Sequence, residues 1–522
     1  MHILLIIAAV LAALYLIVSA TYHHIHMMQQ NGYRIDRYWD WYRTRCVKEL
    51  RFGELLLLIP MALSFIGQLA LAISLIAVLL LLLICYFPRP AQDKKPLVLT
   101  PRARRLYLLT AVIAVLIVAA IWLLPADWLK ALAVVIACLL SRFYMLLASL
   151  LLAPVEKAIN NGYLRDAAQK IAAMPGLTKI GITGSYGKTS TKLIMAGVLG
   201  EKYQTLATPA SYNTPMGITR TIREMLSPVD EVFVCEMGAK QKGDIDELCQ
   251  LVHPTIGVLT SIGEQHLETF GNIANIIDTK FELIESLPAD GLAVVNGDNP
   301  YIAANLNRAP CRVIRYGLQP DNDYWADQIS YGAKGVSFVL HHQQVAAPFS
   351  SSLLGAHMVS NILAALAVAD QLGVSLRQLQ RAVKALPPIE HRLQLRPAGD
   401  YFIIDDAFNS NPAGAAAALE VLAAFGAGKK IIITPGMVEL GEKEYQLNFE
   451  LGRQMAQVCD YIILVGKKHS KPLFDGVTAA GYPSAQLFVA SDLNEARSRL
   501  AQVVEPEAVV LFENDLPDTY NE

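Results

Sequence analysis

Between Lys179 and Lys192 the chain reads KIGITGSYGKTSTK, an apolar run that breaks into a glycine-punctuated loop ending in Gly-Lys-Thr. Such a loop constrains the fold strongly, because it must follow a strand and open a helix if it is to hold the phosphates of a nucleotide. Gly184 and Gly187 let the backbone turn tightly, so that the N–H groups from Gly184 through Ser185, Tyr186 and Gly187 to Ser190 can face a phosphate. Lys188 can reach the β- and γ-phosphates, and the Thr189 hydroxyl can ligate the accompanying Mg2+. The residues from Ser190 to Leu199 read as a helix whose N-terminus adds its own partial positive charge. The spacing is not the usual G-x-x-x-x-G-K-[ST], since Ile182 stands where the first glycine would be; the pattern is the shorter T-G-x-x-G-K-T.

About the first 150 residues carry much of the 53% hydrophobic content and have the composition of a membrane region. His2 to Ala20 forms one apolar span, and the absence of a basic n-region favours an uncleaved anchor over a signal peptide. Leu55 to Phe87 is apolar for 33 residues. As one helix it would be about 50 Å long against a hydrocarbon core of ~30 Å, so a hairpin of two short crossings turning near Gly67 and Gln68 fits better. Leu106 to Leu124 and Trp128 to Leu152 supply two more spans, the last with Arg142 inside it. Arg34, Arg37, Arg43, Arg45, Lys48 and Arg51 precede the long run, and Arg89, Lys94, Lys95, Arg102, Arg104 and Arg105 follow it. The positive-inside rule places both groups in the cytoplasm, which requires an even number of crossings between them. Five crossings are the expectation, which places residues from 153 onward in the cytoplasm; the sequence leaves the exact number at four or five. YRIDRYWDWY, from Tyr33 to Tyr42, mixes aromatics with arginines as headgroup-level segments do.

The remaining residues suffice for two soluble domains. Val232 to Cys235, Ile256 to Thr260 and Leu292 to Val295 read as strands alternating with helices, the signature of a parallel, doubly wound sheet. Leu386-Pro387-Pro388 marks a boundary, beyond which Phe402 to Ile404, Lys430 to Thr434 and Tyr461 to Val465 repeat the alternation. The expected fold is α/β: a helical transmembrane region over 1–152, a P-loop parallel-sheet ATPase domain over 153–387, and a smaller Rossmann-like α/β domain over 388–522.

Seven scattered cysteines without a C-x-x-C pair argue against structural zinc or a disulfide framework, and a formal charge of −2 argues against a nucleic-acid-binding surface. Glu236 ends an apolar strand, the natural place for a second Mg2+ ligand beside a phosphate loop. His266 follows another strand, where a neutral imidazole can bind Mg2+ or orient a water. Lys280 sits in NIIDTKFELIESL, where a lone lysine ordinarily belongs to the polar face of an amphipathic helix.

In order and wording these segments resemble one family. TGSYGKTST, SYNTPMG, EMGA, TSIGEQHLETFG, DTKFELI, VVNGDNP, EHRLQL and DDAFNSNP are similar to the motifs of the Mur ligases, ATP-dependent amide ligases that include the peptidoglycan stem-peptide enzymes. Asn409 to Pro412 and Gly436 to Gly441 are most similar to the branch that adds D-alanyl-D-alanine to a UDP-muramoyl tripeptide. The resemblance covers about residues 153 to 522 and implies coupling of a carboxylate to an amine through an acyl phosphate. It implies that Lys188 and Thr189 hold the nucleotide phosphates and Mg2+, that Glu236 and His266 complete Mg2+ binding, and that Lys280 carries a carbamate able to ligate a second Mg2+. It further implies Asn296 near the adenine, Arg392 reaching back to the phosphates and Asp406 meeting the ribose, with Asn213, Asn409, Asn411 and Glu439 toward the substrates.

The soluble UDP-sugar domain of those enzymes has no counterpart in this sequence, its place being taken by the apolar region. The expectation is therefore an amide ligase integral to a bacterial-type cytoplasmic membrane, joining an amino acid or short peptide to a membrane-associated or lipid-linked carboxylate. A stem-peptide ligase acting on soluble UDP-muramoyl peptide from a membrane anchor is the alternative of the same chemistry. A transporter or sensor regulated by ATP is the alternative of another class, against which the apolar spans carry no carboxylate for an ion path.

Overall fold

The computed structural model describes residues 21–49, 97–264, 267–332, 334–407, 410–426, 428–438 and 440–515. It divides into two units, Met1–Asn161 and Gly162–Glu522.

In the first unit the aromatic and basic segment after Tyr33 forms the helix Ile35–Glu49. Its Tyr38 is buried, with the phenol 2.8 Å from His24 Nδ1. A second helix, Pro101–Trp122, begins with proline at a position where the missing N–H costs nothing, and Thr100 caps it by accepting from the Ala103 N–H. Arg105 grips the buried Glu156 through both Nε (2.7 Å) and Nη2 (2.9 Å), the fork geometry that only arginine supplies. Two described stretches, Pro101–Ile121 and Phe143–Ala172, are long and apolar enough to cross a membrane. The second lies within one continuous helix, Asp127–Ala172, which contains Pro154. The spans expected at His2 to Ala20 and Leu55 to Phe87 lie outside the described residues.

The second unit holds two sheets. The larger has nine strands: β1 (Thr178–Thr183), β2 (Thr205–Ala207), β3 (Val232–Glu236), β4 (Ile256–Leu259), β5 (Leu292–Asn296), β6 (Arg312–Gly317), β7 (Tyr324–Gly332), β8 (Gly335–His342) and β9 (Val345–Ser351). Their order is β2-β3-β1-β4-β5-β6-β7-β8-β9, parallel from β2 to β7 and antiparallel from β7 to β9. Ile180, Ile182, Val234, Val258 and Val294 are wholly buried and meet Met195 and Val198 of the helix Lys188–Leu199 and Ile362 and Ala365 of the helix Ala356–Gln371. Burial on both faces explains why these strands read as unbroken apolar runs. The ribbon β7 to β9 instead alternates buried and exposed residues, as antiparallel strands with one wet face do, and was not anticipated.

The smaller sheet comprises β10 (Gln394–Ala398), β11 (Tyr401–Asp406), β12 (Lys430–Thr434), β13 (Tyr461–Val465), β14 (Leu487–Ala490) and β15 (Val509–Glu513). The order is β10-β11-β15-β12-β13-β14, parallel except for the β10–β11 pair. The returning strand β15 lies between β11 and β12, so Asp406 and Glu513 become register partners at adjacent strand ends.

One helix terminus is satisfied from a distance. Glu282, on the helix Ile273–Glu285, accepts from the N–H groups of Gly243 (2.7 Å), Ile245 (3.1 Å) and Asp246 (3.0 Å) at the start of the helix Asp244–Val252. This carboxylate replaces the missing intrahelical partners and complements the helix dipole. Glu282→Ala should therefore lower the unfolding free energy by about 1–3 kcal/mol in urea titrations. An unchanged midpoint would show that water caps this helix equally well.

Candidate active site

The phosphate loop follows β1 as its sequence requires. Gly184 has φ +151° and Gly187 has φ +81°, conformations that side chains rarely adopt. A Cβ on Gly184 would stand 2.1 Å from Thr260 Oγ1, and one on Gly187 would stand 2.7 Å from Asn361 Oδ1. The loop is stitched to the segment after β4: the Ser185 N–H donates to Ser261 O (2.7 Å), the Tyr186 N–H to Ser261 Oγ (2.9 Å), and Thr260 Oγ1 to Tyr186 O (2.6 Å). Its shape is thus set by two strands' ends, not by glycine alone.

Lys188 donates from Nζ to the carbonyls of Gly184 (2.7 Å) and Ser185 (3.0 Å), which holds its ammonium over the loop. Burial draws its pKa down to about 8, opposed by Glu236 and assisted by Arg392. Glu236 ends β3, with 1% of its surface exposed. Its Oε1 accepts from Asn213 Nδ2 (3.0 Å) and its Oε2 lies 3.0 Å from Lys192 Nζ. Burial pushes this carboxyl up, but Lys192, Lys188 and the Asn213 hydrogen bond outweigh it and leave the pKa below its ordinary value. Lys192 has no exposed surface and also donates to Ala210 O. It is one helical turn beyond Lys188, and its i+4 spacing was the available signal for a second inward-facing cation.

Lys280 is 3% exposed, on the buried side of its helix and not on a polar face. Burial and the charge of Lys188 hold its pKa well below the usual lysine value. Its Nζ stands 5.9 Å from the centroid of the Phe270 ring.

Across from these groups lies the start of the smaller domain. Arg392 sits between His391 (φ +56°) and Leu393 (φ +48°), both left-handed without being glycine. His391 Nδ1 lies 2.9 Å from Asp405 Oδ2, and the Leu393 N–H donates to Asp406 Oδ1 (3.2 Å), so β11 holds the strained turn in place. Burial raises the Asp406 carboxyl to about 6 against the pull of Arg392. A cavity of about 300 Å³ is lined from one side by Tyr186, Gly187, Ser190 and Asn296 and from the other by Arg392, Asp406 and Asn411. Asn296 is fixed by donating to Thr260 O (2.9 Å). Asn411 caps the helix Pro412–Ala423 by accepting from the Gly414 N–H (2.9 Å). Thr260, His357, Asn361 and Ser410 line the same cavity and were missed, because each joins it only through tertiary packing. His266, Asn409 and Glu439 lie outside the described residues. Lys443 Nζ meets both Glu264 carboxylate oxygens at 2.7 Å, joining the smaller domain to the loop that also receives the Tyr186 phenol.

The donors suit Mg2+ with a nucleotide. Glu236 and Thr189 offer hard oxygens beside the phosphate loop, and among the described residues no group of three or more His, Cys, Asp or Glu side chains could hold a metal unaided. Mg2+ is commonly held this way, by one or two protein oxygens together with the substrate's phosphates. Glu236→Ala would leave Lys192 charged and buried without its carboxylate, so the variant should lose about 3–5 kcal/mol of stability. Glu236→Ala combined with Lys192→Met should recover most of that loss in thermal melts. A single variant as stable as the parent would mean that Lys192 escapes to solvent.

Residues 182–369 match the Mur ligase middle domain, and residues 391–513 match the Mur ligase, glutamate ligase domain. The UDP-N-acetylmuramoyl-tripeptide–D-alanyl-D-alanine ligase of Mycobacterium tuberculosis is 36% identical over 313 residues, covering 58% of this chain and 61% of its own length. The corresponding ligase of Mycobacterium leprae is 30% identical over 375 residues, covering 66% and 72%. Among solved structures, the MurF ligase of Thermotoga maritima in complex with ADP superposes with a TM-score of 0.62 at 26% identity, covering 69% of this chain and 81% of that one. The chain thus spans 61% of the length of the M. tuberculosis relative. With both domains matched in order, and with a relative 30% identical and covered over 72% of its length, the chain belongs to the Mur ligase family.

Proposed function

We propose that the chain is an ATP- and Mg2+-dependent carbon–nitrogen ligase of peptidoglycan synthesis, which joins D-alanyl-D-alanine or a similar short amine to a muramoyl-peptide carboxylate. The observation that carries this reading is the single cavity shared by the phosphate loop and by Arg392, Asp406 and Asn411 of the smaller domain. An acyl phosphate hydrolyses readily, so a site assembled from two domains protects it from water. Lys188 and the loop N–H groups would orient the β- and γ-phosphates, and Arg392 would neutralise charge as the γ-phosphoryl passes to the substrate carboxylate. Glu236 and Thr189 would hold Mg2+, which polarises the phosphates when bound. Asn296 and Asp406 flank the cavity where the nucleoside would lie, and Asn411 faces the amine side.

Lys280 is suited to carry a carbamate. A neutral amine is the form that adds CO2, and burial beside Lys188 favours the neutral form. The product is an anion near the Lys188 ammonium, able to ligate a second Mg2+.

A lipid-linked acceptor is the second reading, favoured by the two helices of membrane-spanning length. The full chain in detergent, offered ATP and D-alanyl-D-alanine with either UDP-muramoyl tripeptide or its lipid-linked form, separates the two by the rate of amide formation. Release of ADP with neither acceptor would defeat both.

Lys188→Ala should lower turnover at least about 10²-fold, since no other cation of the loop reaches the phosphates. Lys280→Ala should be nearly inactive and regain part of its rate with added acetate. With ¹³C-labelled CO2 the parent should show a carbamate resonance that Lys280→Ala lacks. Full activity of Lys280→Ala would return this residue to a packing role.

A further inference from the structure

Glu513 ends β15 with 1% of its surface exposed, and nothing in the reaction so far employs it. Both of its oxygens are engaged: Oε1 accepts from the Ser410 hydroxyl and Oε2 from Thr434 Oγ1 at 2.6 Å. Thr434 is fixed in turn by accepting from the Gly436 N–H (3.0 Å). Ser410 lines the cavity beside Asn411 and Asp406, so its hydroxyl spans the distance from the buried carboxyl to the space where the amine would arrive. A buried carboxylate needs a reason, because burial without an ionic partner destabilises the charge.

We infer that Ser410 and Glu513 form a proton relay that takes the proton from the incoming ammonium before it attacks the acyl phosphate. The inference rests on the ligase reading above. An ammonium must shed two protons to become an amide nitrogen. The first passes to Ser410 Oγ as the Ser410 hydroxyl proton moves to the Glu513 carboxylate, leaving a free amine. The amine lone pair then forms the C–N bond, the C–O bond to phosphate breaks with its electron pair on the phosphate, and that phosphate takes the second proton. Glu513 returns its own proton to solvent by the reverse path.

The environment suits this task. Among the described residues the charged group bearing on Glu513 is Asp406, its register partner on β11; β12 offers the Thr434 hydroxyl and the loop after β11 offers that of Ser410. Burial, with Asp406 assisting and the two hydroxyls opposing, raises the Glu513 pKa to about 7. A base poised near working pH both accepts and releases a proton readily.

The test compares two nucleophiles in the full-length protein supplied with ATP and UDP-muramoyl tripeptide. D-Alanyl-D-alanine arrives as an ammonium, whereas hydroxylamine is uncharged at neutral pH and needs no proton removed before attack. Glu513→Gln and Ser410→Ala should each slow amide formation at pH 7 by about 10²-fold yet form hydroxamate at the parent's rate. Ser410→Thr, which keeps a hydroxyl, should retain amide formation. With the parent, amide formation should rise with pH and level above about 7 as Glu513 becomes ionised; with Glu513→Gln it should keep rising with the fraction of free amine. Parent-like amide formation by Glu513→Gln overturns the relay and leaves the ligase reading standing. Equal loss of amide and hydroxamate by a folded, ADP-binding Glu513→Gln also overturns it, assigning Glu513 to packing. A parent protein that makes neither product from UDP-muramoyl tripeptide nor from its lipid-linked form removes the ligase reading and the relay with it.

Discussion

The contact between Lys192 and Glu236 ties the phosphate loop's helix to the strand beside it, and the phosphate-loop half of the site is arranged around that pair. Buried ion pairs contribute little net stability, because desolvation offsets most of their attraction. What this pair supplies is direction. With Lys192 on one oxygen and Asn213 on the other, the Glu236 carboxylate has one orientation, and it stays ionised where Lys188 can feel it. Two further amines stand there: burial and Arg392 lower the proton affinity of Lys188, and burial and Lys188 lower that of Lys280. A surplus of positive charge is confined there, and a phosphate chain would relieve it.

The other half of the cavity has the opposite character. Insertion of β15 between β11 and β12 sets Asp406 and Glu513 side by side at the carboxyl ends of parallel strands, the edge at which open α/β sheets bind ligands. Arg392 lies between the two halves, carried there by a turn whose flanking residues adopt left-handed conformations and are held by Asp405 and Asp406. Amines on one side of Arg392 and carboxyls on the other suit the proposed meeting of a phosphorylated carboxylate with an amine.

Much of this was legible beforehand, for identifiable reasons. A strand, glycine-rich loop and helix are consecutive in the chain, so KIGITGSYGKTSTK specified its own order of strand, turn and helix. The parallel strands announced themselves through apolar runs because helices cover both faces. Lys280 misled a residue-level reading: its helix is amphipathic by period, but period alone does not say which face the rest of the protein covers, and this lysine faces in. The ribbon from β7 to β9 escaped notice because short alternating segments carry little signal when a parallel sheet is already expected.

The sequence by itself determined the elements whose partners are near neighbours along the chain: the strand before the phosphate loop, the helix that follows it, and the strand end bearing Glu236. Tertiary structure alone decided which distant residues complete them. Asn361 reaches the loop at Gly187, Thr260 and Ser261 fix the loop's backbone, and Ser410 meets Glu513 across 103 positions of sequence. The physical reason is that backbone conformation responds to adjacent residues, whereas the desolvation and charge that set the chemistry of Lys280, Asp406 and Glu513 come from whatever packing brings against them.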